Sequence, residues 1–317
     1  MALQYQTGAY TSPKNLLDLL ETFAGTHGWT INTSVGLGGD PANEQLCLSS
    51  DGHFVNIIAD NTNGRWRAQP STAYSGTGVQ FFAHTGSPNS SGTLPSTAVQ
   101  MTLGVGSGVA YHFFASDAAP RYIHVVAETS AGRYSHFAFG TISKLGTYTG
   151  GGYVTALSMS ATNVVQSMYP FSYDRATNNG TQWIRADSVV GLGSPGWREE
   201  WGCFETGEAG DGMTDNLWKC GLNVATQRSM LAPIYCFAEA TDGGVPSTGI
   251  VLGTVQNVRL ISLEGRQPGE TLTIGSDVWQ VFPVREKFSA TGGSAYIPGG
   301  TAPNFHTALC GIAYRQS

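Results

Sequence analysis

The sequence predicts a mainly β protein: antiparallel sheets, sandwich or barrel-like, with a short N-terminal α-helix and long Gly/Ser-rich loops. Three observations predict it. Charged residues make up only 12% of the 317, against an average of about 25%, so surface helices rich in Glu and Lys are scarce. Glycine accounts for 42 residues, about twice its usual share of roughly 7%, which suits tight turns. The 14 Phe, 13 Tyr and 7 Trp fall mostly in short runs bounded by turn residues, the pattern of strands.

Taken in order, Ser12-Pro13 opens the helix, a capping hydroxyl followed by proline at the first helical position. Leu16, Leu19, Leu20 and Phe23 recur at helical spacing and Gly25 and Gly28 end it, giving a helix over 13–25. Trp29-Thr30-Ile31 leaves as a strand. Residues 43–48 and 52–59 flank "SSDG", a hairpin signal. The run 78–84, "GVQFFAH", reads as a further apolar segment, and 85–97 as an exposed Ser/Gly/Pro loop. Strands at 109–115, 121–128 and 133–142 follow closely and read as a meander. Gly150-Gly151-Gly152 marks a tight turn or a close backbone approach. Short strands are expected at Trp183-Ile184 and near Val189, a polar loop at 202–216, and one helical turn within 213–222. Apolar runs at 229–239 and 250–263 precede a hairpin over 266–284, and "ALCGIAYR" closes the chain as a strand. The expected division is a helix-plus-meander domain, 1–158, and a β-rich domain, 159–317, although the two could be one. No repeat of 20–50 residues is visible.

Composition also excludes. The net charge is −6 and the 16 Lys and Arg are scattered, so no basic face for direct nucleic-acid binding is expected. No run of about 18 apolar residues predicts a membrane span, and the opening "MALQYQTGAYTSPKN" does not read as a secretion signal. The five cysteines, Cys47, Cys203, Cys220, Cys236 and Cys310, are odd in number and widely spaced. They are expected as reduced, buried thiols of a protein folded in a cytoplasm.

Three groups could carry chemistry. Arg121-Tyr122-Ile123-His124 and Arg133-Tyr134-Ser135-His136 repeat one pattern on adjacent strands. With a three-residue loop near Ser130, His124 and His136 would stand directly opposite, and His112 could make a third imidazole. No nearby acid orients such a set, so a packing role is favoured over metal. Glu199, Glu200, Glu205, Glu208, Asp211 and Asp215 cluster near Trp197, Trp201 and Trp218. Paired carboxyls flanked by aromatics suit a glycoside hydrolase, but nothing in the spacing holds two carboxyls at a working distance. The glycine runs "GLGGD" (36–40), "GVGSG" (104–108) and "GLGSPG" (191–196) lack the strand-to-helix context of phosphate cradles or nucleophile elbows. No catalytic, cofactor-binding or metal-binding residue is therefore assigned, no cofactor is expected, and the chain is not read as an enzyme.

Residues Arg121 to Val126, Gly132 to Gly140, Lys144, Gly146, Tyr148 to Gly151 and Tyr153 form a segment that resembles virion structural proteins of tailed bacteriophages, from the neck, tail or baseplate region. The stretches 268–284 and 311–315 and the helix followed by "GWTI" are similar too, so that about half the chain takes part. The resemblance implies a multi-copy structural subunit that folds in the host cytoplasm and enters the virion. Its expected partners are copies of itself in a symmetric ring or other oligomer and other phage tail or neck proteins. It carries no catalytic residue over. In that role aromatic and aliphatic faces would bury between subunits, with Tyr122, Tyr134, Phe137 and Phe139 packed. The rival expectations are a host-receptor or carbohydrate-binding tail protein using Trp197, Trp201 and Trp218, and a polysaccharide-degrading enzyme using Glu200 or Asp211.

Overall fold

The computed structural model describes residues 2–36, 43–88, 98–156, 158–159, 165–168, 172–173, 183–187, 197–199, 222–223, 228–229, 231–242, 245–263, 265–284 and 310–317. In chain order the elements are β1 (Leu3–Gly8), α1 (Pro13–Thr26), β2 (Thr30–Gly36), β3 (Asn43–Ser50), β4 (His53–Asp60), β5 (Arg65–Ser71), β6 (Val99–Thr102), β7 (Ala110–Ser116), β8 (Tyr122–Ser130), β9 (Arg133–Thr141), β10 (Ser143–Lys144) and β11 (Thr149–Ala156). There follow β12 (Ser158–Met159), β13 (Val165–Met168), β14 (Ser172–Tyr173), β15 (Trp183–Asp187), β16 (Trp197–Glu199), β17 (Leu222–Asn223), β18 (Arg228–Ser229), β19 (Ala232–Asp242), β20 (Val245–Ser262), β21 (Thr271–Ile274), β22 (Asp277–Pro283) and β23 (Cys310–Arg315).

Three large antiparallel sheets carry the fold, and none closes into a barrel. One has five strands in the order β2-β3-β4-β5-β6, one has seven in the order β1-β7-β8-β9-β11-β15-β16, and one runs β10-β20-β23-β22-β21 with β19 on β20. Two small sheets, β12-β13-β14 and β17-β18, are not hydrogen-bonded into these, although β12 lies against β6.

The seven-stranded sheet is the middle layer. Along its strands alternate side chains go to opposite faces. Phe113, Val125, Ala127, Phe137, Phe139 and Val154 enter one core with α1 and the five-stranded sheet (Leu16, Leu20, Phe23, Leu46, Ile57, Trp66). Phe114, Val126, Tyr134, Ala138, Tyr153 and Ile184 enter another with Val258, Leu260, Phe282, Ile312 and Tyr314 of the third sheet. That second core takes side chains from both sides of residue 158. Because both faces are covered, β8 and β9 read as near-continuous apolar runs instead of clean alternation.

Local chemistry explains the elements. Ser12 accepts from Asn15 N at 3.1 Å and caps α1, and Pro13 needs no partner at the first turn. Asp51 (φ 53) and Gly52 (φ 78) both take left-handed backbone, making the two-residue turn that pairs Ser50 with His53. Gly275, at φ 63, turns β21 into β22. The helix, the 43–59 hairpin, the meander, the 266–284 hairpin and the last strand stand where the sequence predicts them.

Several expectations need correction. The run 78–84 is a pair of turns, Val79 N to Gly76 O and Ala83 N to Gln80 O, because its rings serve as a plug: Phe81 and Phe82 bury against Ala98 and Ile58. Of the two roles expected for the three glycines at 150–152, close approach is the one that holds, since they lie within β11 at a register shift. The strands β1, β5 and β6 are absent from the sequence reading, yet Leu3/Tyr5/Thr7 against Gln4/Gln6, and Trp66/Ala68 against Arg65/Arg67, alternate with period two. Tyr122, Tyr134, Phe137 and Phe139 are packed as expected, but inside this chain, where the described flanking sheets cover β8 and β9 on both faces. The expectations at Val189, 202–216 and 213–222 lie outside the described residues.

Candidate functional site

The three histidines sit together on β7, β8 and β9, in a different register from the one expected. Residue 124 pairs with Ala138, and Val126 pairs with both His112 and His136. His124 and His136 are thus diagonal neighbours. The cause is the turn. Ladder positions in β8 and β9 close through Ala131-Gly132, with a register shift between Glu128 and Ser130, so the hairpin is centred one residue later than Ser130. Because that moves the pairing by two residues, both rings stay on one face. Val126 separates His112 from His136 by two strand spacings, roughly 10 Å, too far for one ion with nitrogen ligands at about 2.1 Å.

Each ring has its own partner. His136 Nε2 lies 2.9 Å from the Pro283 carbonyl, which can only accept, so Nε2 bears the proton. Its Nδ1 then accepts from the Tyr314 hydroxyl at 2.7 Å. His124 Nε2 donates to the Gln256 carbonyl at 3.0 Å. His112 Nδ1 meets the Tyr5 hydroxyl at 2.9 Å, and its ring lies 4.7 Å from that of Phe282. Burial disfavours the imidazolium and pushes His124 down to about 3, and His136 and His112 each to about 4. All three are neutral at pH 7 and join the middle sheet to β20, β22 and β23 or to β1. This geometry is that of a packed polar seam, not a metal cradle.

A group the sequence reading missed lies where α1 meets β2 and β3. Asp18, Glu21 and Glu44 bring carboxylate oxygens within 4.8 Å of one another. Lys14 Nζ lies 3.0 Å from Asp18 Oδ1 and 2.6 Å from Glu44 Oε2, and Ser34 Oγ lies 2.6 Å from Glu44 Oε1 and 2.8 Å from Glu21 Oε2, its one proton serving either acceptor. Burial raises Asp18, helped by its hydrogen bond with Glu44. For Glu44 burial works upward, but hydrogen bonds from Asp18, Lys14 and Ser34 outweigh it and hold the carboxyl below its usual range. The Lys14 ammonium occupies the place a cation would take. The readable signal was Lys14, Asp18 and Glu21 at helical spacing on one face of α1.

On the outer face of the five-stranded sheet a polar row, Cys47, Asn56 and Gln69, crosses β3, β4 and β5 with no exposure. Asn56 Nδ2 donates to the Gln69 carbonyl and to Ser71 Oγ, both at 3.0 Å. Burial pushes the Cys47 thiol up to about 12, so it is no nucleophile.

Of the aromatic and acidic cluster around 197–218, Trp197 is the side chain within the described residues. Its ring meets His53 edge-on at 6.0 Å, and a Cβ on Gly152 would come within 2.6 Å of the His53 ring and 2.9 Å of Trp197. Beside them Arg185 pairs with Asp187 at 2.8 Å. The ring is thus partly buried against the core of this chain. Glu199 pairs with Trp183 in the ladder. Glu200, Trp201, Glu205, Glu208, Asp211, Asp215 and Trp218 lie outside the described residues. Cys47 and Cys236 are buried, and no helix among the described residues is long and apolar enough to cross a membrane.

No protein-family model matches this chain, and a search of curated proteins likewise finds no match.

Proposed function

We propose that this protein is a structural subunit of a bacteriophage virion, in the neck, tail or baseplate, acting through multi-copy assembly. Its partners are copies of itself and other tail or neck proteins, met after folding in the host cytoplasm. The observation that carries this reading is the division of labour in the fold. The three histidines of the middle layer are neutral and serve packing, while Val105, Val109, Leu145, Tyr235, Val251 and Ile274 remain exposed. Apolar side chains held outside on a poorly charged surface favour contact with other chains. The buried thiol of Cys47 suits a reducing compartment, and the sequence likeness to phage structural proteins points the same way.

The test is composition and labelling of particles. Purified virions of the encoding phage are expected to contain this chain in several copies by quantitative mass spectrometry. Gold-labelled antibody against it is expected at one fixed level of the neck, tail or baseplate. Particles without the chain, or purified protein that cleaves host polysaccharide, would overturn the reading.

A further inference from the structure

Among the described residues the strands β7, β8, β9 and β11 of the middle sheet are covered on both faces within the chain, which leaves its edges as places for contact with other molecules. The two edges differ. β16 is three residues long, Trp-Arg-Glu, with charge at its end. β1 is six residues, Leu-Gln-Tyr-Gln-Thr-Gly, with an unbroken register against β7 and neither charge nor proline. Other sheet rims are guarded: β2 carries a register shift, β19 carries three and includes Glu239 and Asp242, β6 and β21 have four residues and β10 two. Shortness, bulges and charges are the usual protections against strand addition. Among the described edges β1 alone is six residues long with none of them.

The direction of its free groups can be derived. Asp117 N donates to Ala2 O, in line with the ladder in which Leu3 faces Ser116. Bonded and non-bonded pairs alternate in an antiparallel ladder, so Gln4, Gln6 and Gly8 bond to β7. Leu3, Tyr5 and Thr7 then turn their N–H and C=O groups outward. The strand is held ready: Tyr5 meets His112 Nδ1, Gln4 Nε2 donates to Asp117 at 2.6 Å and Gln6 Nε2 to Tyr111 Oη at 2.8 Å.

We propose that β1 of one molecule pairs antiparallel with β1 of a second copy about a twofold axis at Tyr5, joining two seven-stranded sheets into one. The proposal rests on the multi-copy reading above. A second copy is the occupant because the strand complements itself. Faces stay in register whenever odd positions oppose odd positions, and centring on Tyr5, with Leu3 opposite Thr7 and Gln4 opposite Gln6, is the arrangement that pairs all three outward residues. A one-residue slip would set the Tyr5 face against the Gln6 face. In this register the outward groups exchange about six backbone hydrogen bonds, amide faces amide, and no like charges meet. An isologous contact of this kind closes as a dimer, a unit for larger rings.

The experiment uses the full chain. Leu3→Cys and Thr7→Cys, carried on differently tagged copies and co-expressed, are expected to form a mixed disulfide on mild oxidation, since opposed Cα atoms of a bonded pair sit about 5.5 Å apart. The wild type and each variant alone set the background of native thiols. Thr7→Pro removes one outward N–H while leaving the β7 ladder intact. It is expected to halve the mass in solution with an unchanged circular dichroism spectrum. An absent mixed disulfide overturns the pairing, as does an oligomer whose mass Thr7→Pro leaves alone or a wild-type chain that stays monomeric. An oligomer without the cross-link leaves the virion reading standing, whereas a cross-linked dimer missing from particles removes that reading and keeps this one.

Discussion

His136 on β9 and Tyr314 on β23, 178 positions apart in sequence, share a 2.7 Å hydrogen bond with their rings stacked at 12° and 5.9 Å between centroids. The contact ties the middle sheet to the third sheet through a neutral imidazole, and both residues are fully buried.

Tyr314→Phe keeps the ring and removes the hydroxyl, leaving His136 Nδ1 buried without that donor. The expected loss is about 1–3 kcal/mol, read as a shift of the urea midpoint at constant m-value. A loss under about 0.5 kcal/mol would mean that water or another group replaces the hydroxyl.

Stability should fall on mild acidification. His112, His124 and His136 are held in the folded protein at about 4, 3 and 4, below the ordinary value of about 6.5. The unfolded chain therefore binds more protons, so their contribution is complete above pH 6.5 and is lost as pH falls towards 4. Each group steepens the loss by up to about 1.4 kcal/mol per pH unit. Urea unfolding at pH 7.5, 6 and 5 reads the slope, and His124→Gln should flatten it. A stability flat across this range would contradict the burial of these rings.

Glycine at 140 is predicted to be irreplaceable. Its φ is 141°, and a Cβ would lie 2.4 Å from Tyr122 Cα and 2.5 Å from Arg121 O. Backbone atoms on both counts cannot swing aside, so Gly140→Ala is expected to cost about 3 kcal/mol or more. Gly132→Ala is the matched control: φ is 76° with nothing within 4 Å, and the expected cost is about 1 kcal/mol. Thermal unfolding of the two variants side by side decides it.

Removing the ammonium from the acidic cluster should expose repulsion among its carboxylates. Lys14→Met is expected to destabilise by about 1–3 kcal/mol, the partial exposure of the lysine keeping it below the cost of breaking a fully buried pair. Adding Glu44→Gln should recover part of that loss. Additive effects in the double-mutant cycle would show that the pair does not couple.

Much of the architecture was legible in the residues. "SSDG" announced its turn because only a few residues accept left-handed backbone, and Ser12-Pro13 announced the helix because capping is local. β1 and β5 were also written in period-two alternation but went unread, their polar positions obscuring strands that lie at an edge or carry arginines. The 78–84 run was legible as apolar, and its rings are buried, but composition alone does not tell a plug from a strand. The site was less legible. The histidines could be placed on one face from the period of a strand, yet their register turned on one bulge near Thr129, which no local preference dictates.

By itself the sequence determined which segments extend, where they turn, and that glycine and uncharged aromatics would dominate. Those follow from backbone sterics and side-chain period, properties of a few neighbouring residues. Only the tertiary structure decided that a third sheet covers the histidine face, that Lys14 neutralises acids from α1 and β3, and that β1 stands at the end of the middle sheet among the described strands. Each of these depends on partners up to 178 positions away, and such pairing is set by the summed packing of whole layers instead of by any local signal.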